Sequence, residues 1–395
     1  MDIPIRPVPR WLHVWAILTV ITTAAVLVLG GFVTTFRVGM ADPVWPTEPW
    51  YLASNYKFDF GYLVEHFHRI LAWALAPLGL LLTIGAWAYE PRRGLKWFGI
   101  AAIIAILVTF GSFQAMLMRS PRGEEGFAVY LSLVVMMASL VAGFVAAFRA
   151  LQTKCTGGTI RCLVIFGMVA AMIQGLLGGI RVRYNDLFGR EMSAVHGSFA
   201  QIVFALLIAV ALLSAKPKVG PPIPPACLRK LRWQTLCLLV FTFLQIVFGA
   251  WIRHFPGPMS NRLHLFFAFV VVGFATLAIK QALSEPAAKR QFNTGARFMM
   301  GLIAIQVLLG VEAWMGKFLT GTLPEFETIT SKDVGKAFTR TAHAHVGTWV
   351  LGVAVIFYLI TRRNTQSRDG PSDAASVNWQ DQPTQQLSTG VRSLS

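Results

Sequence analysis

Four histidines stand at matching places in the chain. His68, His196, His264 and His343 each open an apolar helical run, and each is followed four residues later by a small residue: Ala72, Ala200, Ala268 or Gly347. Positions i and i+4 share a helical face, so the small side chain leaves room for a flat macrocycle beside the imidazole. An ionisable side chain inside a membrane span is costly and by default suggests function. One such histidine would be read as a hydrogen-bonded core residue; four in register would not. Their neighbours are Phe, Leu, Ala and Gly, with no Cys or Asp alongside as further ligands. That lining suits a large apolar ring better than a bare zinc or copper ion, and axial imidazole is a standard way of holding haem iron. Two histidines from facing helices make one bis-imidazole site, so four make two haem pockets.

The run Glu65-His66-Phe67-His68-Arg69 adds a carboxylate, because Glu65 and His68 are three apart and share a face. Buried beside a ligand, Glu65 is a candidate for proton transfer or cation stabilisation. Exposed at the boundary, it would only pair with Arg69. Arg37, Arg69, Arg181, Arg183 and Arg253 lie near the same surface, where haem propionates would point, though boundary arginines also sit there. His66 is expected at the boundary. His345 lies about 200° around the helix from His343, His254 could touch a propionate, and His13 falls at the opposite end.

The elements that must position these residues are membrane helices. Of 395 residues 55% are hydrophobic and only 13% charged, with mean hydropathy +0.58, against about 25% charge in soluble proteins. Runs near the roughly 20 apolar residues that a crossing needs recur at 11–36, 61–89, 96–118, 126–149, 160–181, 193–214, 232–252, 263–283, 296–316 and 338–361. The first is too long for a signal-peptide core and is expected to be retained. The fold class is therefore an all-α polytopic membrane protein.

A net charge of +17 raises the question of nucleic acid, but the charges sort by loop instead. Arg6, Arg10, Arg92, Arg93, Arg149, Arg161, Lys216, Arg229, Lys230, Lys289, Arg290 and Arg362 fall on one side; Asp42, Glu48, Glu124, Glu125, Asp186, Glu325 and Glu327 fall on the other. By the positive-inside rule both termini are cytoplasmic, and ten crossings fit. Cys155, Cys162, Cys227 and Cys237 lie at the cytoplasmic side and read as free structural thiols. Residues 216–232 form a proline-rich cytoplasmic linker between an N-terminal half (1–215) and a C-terminal half (233–363). Residues 364–395 read as a disordered polar tail.

Taken in pairs, the helices repeat. Gln174–Gly178 precedes His196, Gln245–Gly249 precedes His264, and Gln306–Gly310 precedes His343; Gly30–Gly31, without the Gln, precedes His68. The pair at 96–149 breaks the rule, with Met118 in place of the glycine and Tyr130 near the histidine position. It is expected to be a degenerate or inserted hairpin.

These pieces resemble the haem A synthase family of respiratory membranes. The likeness rests on GGFVTTFRVGMADPVWP (30–46), EHFHR (65–69), QGLLGGIRV (174–182) with AVHGSFAQ (194–201), QIVFGAWIRH (245–254) with RLHLFFA (262–268), and IQVLLG (305–310) with TAHAHVG (341–347). It covers about residues 10–362 apart from 96–149. The resemblance implies eight helices in two four-helix halves and oxidation of a methyl group of haem O to a formyl group, by successive hydroxylations and loss of water. It implies that His68 and His196 bracket the substrate haem O and that His264 and His343 hold a haem b cofactor. Arg69 and Arg253 would bind haem propionates, and Glu65 would be the catalytic carboxylate, stabilising a carbocation-like intermediate or deprotonating water. It further implies the cytoplasmic membrane as the location. Haem O synthase, the cytochrome oxidase assembly machinery and an electron acceptor would be partners besides the lipid bilayer; a homo-oligomer is compatible. The extra hairpin and the absence of outer-loop cysteines depart from the family pattern. The alternative reading is a non-catalytic di-haem b electron carrier. A transporter would place broken helices at the bilayer midplane, whereas the polar residues here cluster near one surface.

Overall fold

A computed structural model describes residues 9–42, 60–153, 155–216, 220–320 and 331–369. Glu48, Glu325 and Glu327 of the acidic loops lie outside them. The described residues form ten α-helices and no strand: α1 (Arg10–Thr35), α2 (Phe60–Ala88), α3 (Arg93–Arg119), α4 (Phe127–Leu151), α5 (Thr156–Arg183), α6 (Asn185–Ser214), α7 (Pro225–His254), α8 (Pro258–Ser284), α9 (Pro286–Thr320) and α10 (Ser331–Asp369). Each contains a stretch long and apolar enough to cross a membrane, so the chain is a multi-pass all-α membrane protein. In hydrocarbon every backbone polar group must be satisfied within the chain, and helices do this locally. Prolines open α7 and α8 at a position where the missing N–H has no helical partner to lose.

The boundaries shift from those expected. Helix α7 begins at Pro225, so the linker between halves shrinks to 215–224, and its Ile223 is buried. Helix α10 runs on to Asp369, into the segment read as tail; residues 370–395 lie outside the described ones.

Packing separates the helices into two rings and an appendage. Helices α1, α2, α5 and α6 each pack on the next and close a ring; α7, α8, α9 and α10 do the same. The rings meet where α6 packs on α10, α1 on α10, and α6 on α7. This pattern is unchanged when the two halves are exchanged, as expected of a duplicated unit. Phe204, Ile208 and Val355 fill the seam, and Phe204 meets Trp349 edge-on at 5.8 Å. Helices α3 and α4 pack on each other and against α5, with α2 alongside. They therefore sit outside the first ring. In the second half α8 passes to α9 through Glu285 alone, which is where the first half carries the insertion.

Candidate functional site

Helix pairing brings the four histidines to the same end of the two rings, on α2, α6, α8 and α10. In the second ring the imidazoles of His264 and His343 face each other with centroids 6.2 Å apart and planes at 75°. Two imidazoles sharing one iron through bonds of about 2 Å have ring centres about 6 Å apart, so this pair fits a bis-imidazole haem site. In the first ring His196 lies within electrostatic reach of His68.

The positioning of each ring explains the repeat. A Cβ at Gly249 would lie 3.2 Å from His264 Cε1, one at Gly310 3.0 Å from His343 Cε1, and one at Gly30 2.8 Å from His68 Cε1. The glycine of the hairpin motif thus admits the histidine of its partner helix, a closer contact than the expected role of the small residue at i+4. The glutamine one turn earlier steadies the ring. Gln174 Nε2 approaches His196 Nε2 at 3.1 Å and also donates to the His196 carbonyl at 3.0 Å. Gln245 Nε2 stands 3.4 Å from His264 Nε2, whereas His343 meets the backbone of Gln306, whose side-chain amide lies towards Gly347. The Oε1 atoms of Gln174 and Gln245 are buried without a partner, so rotating the amide would let either accept from the imidazole N–H instead. Such outer contacts fix the ring orientation and tautomer of a metal-binding histidine.

Helix α1, which lacks the glutamine, holds its histidine by the other ring nitrogen. Val26 occupies the position four before Gly30, and its backbone carbonyl accepts from His68 Nδ1 at 3.0 Å. His345 also docks on α1, hydrogen-bonded to the Val28 backbone, with its Nε2 2.6 Å from where a Gly31 Cβ would be. It ties the second ring to the first and stays apart from the His264–His343 pair. His13, at the far end, meets the Ala211 carbonyl and Ser214 Oγ, both at 3.1 Å.

Glu65 is 2% exposed, so the exposed alternative is excluded. Its Oε1 accepts from Arg69 Nη2 at 2.7 Å and its Oε2 from the Asp42 N–H at 2.8 Å. The end of α1 builds this contact. Arg37 adopts a left-handed φ of 59° and turns the chain back towards α2. Arg181 Nη1 then donates to the Gly39 carbonyl at 3.0 Å, and Asp42 settles over Glu65. Arg69 also donates to the Asp42 carbonyl at 2.7 Å and stands 3.3 Å from its carboxylate. Arg69 therefore faces this buried cluster rather than an open rim. His66, expected at the boundary, is fully buried, stacked on Tyr62 at 4.7 Å and 3.5 Å from Asp42 Oδ2. Asp42, read from the sequence only as a loop acid, is the site residue that sequence reasoning missed.

Arginines attend both histidine pairs, and Arg69 as well as Arg181 acts on His68. Arg181 lies within electrostatic reach of His68, His196 and Glu65, and Arg253 within reach of His343. Arg253 also donates to the Arg340 carbonyl at 3.4 Å. Arg183, grouped with these in the sequence, points away: it donates to the Leu117 carbonyl and to Glu125 Oε1 and so ties down the appended hairpin. Tyr130 is 58% exposed on that hairpin and belongs to neither site. Among the described residues no three His, Cys, Asp or Glu side chains converge as a metal cluster. The donor sets are imidazole pairs, which complete a coordination sphere with a ligand that brings four nitrogens of its own.

The chain matches no protein-family model, and no curated protein matches it.

Proposed function

We propose that the chain is a haem-modifying oxidoreductase of the cytoplasmic membrane that oxidises a methyl group of haem O to the formyl of haem A for cytochrome oxidase assembly. The observation that carries this reading is the asymmetry between two otherwise equivalent sites. Each ring has two histidines, at least one of them admitted by a glycine, and an arginine within electrostatic reach, but only the first has a buried carboxylate three residues before one of its histidines. In this reading His264 and His343 hold haem b, and Arg253 pairs with its propionates. His68 and His196 bracket substrate haem O, with Arg181 taking the rim role the sequence reading gave to Arg69. The haem iron supplies the one-electron and oxygen chemistry; the protein supplies position and charge. Arg69 and the Asp42 N–H use two of about four acceptor positions on Glu65. In this reading the remaining positions serve the bound ring, where a fixed carboxylate favours positive charge developing on the reacting carbon. The charge distribution favours both termini on the cytoplasmic side and the sites on the outer side.

Co-expression with a haem O synthase tests the reaction. Extracted pigments should contain haem A, and Glu65→Ala should stop at haem O or a hydroxylated intermediate. Haem A undiminished in Glu65→Ala would remove the catalytic role. The pairing of Glu65 with Arg69 also favours a second reading, in which Glu65 is structural and the chain is a di-haem b electron carrier. That reading expects haem b in both sites and no haem A in the same extraction.

A further inference from the structure

The appended hairpin carries a cavity that the histidine sites do not use. Between the first turns of α3 and the last turns of α4 lies an open groove of about 1060 Å³, floored by Phe98, Phe144 and Phe148 and edged at one end by Arg92, Arg149 and Gln152. Ordinary small-molecule pockets hold roughly 300–1,000 Å³, so this one has room for a long-chain ligand. Its aromatic residues are 36–63% exposed, at the level of a span where the surroundings are hydrocarbon. Arg92 is held by Glu90, at 2.7 Å, and donates to the Arg149 carbonyl at 3.2 Å. This fixes the polar rim, while the Arg149 side chain is exposed. The groove lies at the end of the bundle opposite the histidines, on the side where basic loops collect.

We infer that this groove is a binding site for an anionic phospholipid, with acyl chains on the phenylalanines and the phosphate at Arg149 and Arg92. Charge complementarity selects that occupant. Basic pockets between membrane helices on the cytoplasmic side take anionic headgroups, and anionic lipids concentrate in that leaflet. A guanidinium beside an apolar trough matches a phosphate carried on two hydrocarbon chains, and a fully apolar partner would leave the arginine side of the rim unused. The site is independent of the haem reading.

The test is native mass spectrometry of the full chain in mild detergent, titrated with phosphatidylglycerol or phosphatidylcholine of the same acyl chains. Wild type should retain phosphatidylglycerol preferentially. Arg149→Gln should weaken that retention roughly fivefold. Gly94→Trp, at a lining position where an added Cβ meets nothing within 4 Å, should fill the trough and abolish it. Size-exclusion profiles check that both variants remain folded. Equal retention of the two lipids would mean ordinary annular lipid and overturn the proposal. So would phosphatidylglycerol retention undiminished in both variants, or a dimer that disappears in Gly94→Trp, which would make a second copy the occupant.

Discussion

At Gly310 a methyl group would press on His343, and at Gly249 on His264. Gly310→Val should therefore turn or displace the imidazole and lower bound haem b, read as loss of the reduced-minus-oxidised haem signal. Gly79→Ala, where an added Cβ meets nothing within 4 Å, should leave that signal unchanged. Gln174→Ala removes the amide that holds His196. Outer contacts of this kind typically contribute 10–100-fold to metal affinity, so haem retention in the first site should fall by about tenfold. An unchanged titration would show that the ring orients itself. The four histidines were legible because each opens a helix that follows a glycine-bearing one, whatever the length of the loop between. Asp42 and His66 were not, because their burial depends on a turn at Arg37 that brings the loop over α2, and no residue spacing encodes that.

At the scale of elements, the tip of the hairpin α3–α4 is tied to the joined ends of α5 and α6. Arg122 pairs with Asp186 at 3.0 Å, and Glu125 meets Arg183 at 3.2 Å and the Tyr184 hydroxyl at 3.3 Å. Hydrogen bonds from its own and the Gly123 N–H, with Tyr184 and Arg183 adding to them, hold the Glu125 carboxyl below its ordinary value of 4.5. A depressed carboxyl contributes stability that is present above its unfolded value and lost as pH falls through the folded one. Hydrogen exchange in residues 119–126, after correction for intrinsic rates, should thus be independent of pH well above 4.5 and rise only as pH falls below it. Glu125→Gln should remove that dependence; a variant that keeps it would place the responsible group elsewhere. The ten helices were legible from hydropathy, and so was the irregularity of the hairpin. Whether Tyr130 enters a site was not, because periodicity tells one face of a helix from another but not which neighbour covers it.

Across the whole molecule, duplication accounts for the arrangement: two four-helix rings, joined through α6 and α10, each present one histidine pair at the same end. The insertion falls where the second half has a one-residue connection, and it leaves the rings closed. Replacing residues 92–152 with a short linker should therefore preserve haem binding while exposing one apolar face of α5. Loss of both haems would show that the hairpin is part of the fold of the first ring. The central claim is that facing imidazoles hold haem. Haem content per chain, measured by pyridine haemochrome on the purified protein, tests it most directly. His264→Ala and His343→Ala should each lose the haem b of the second ring while His13→Ala, at the opposite end, retains it; full haem content in both His264→Ala and His343→Ala would contradict the account.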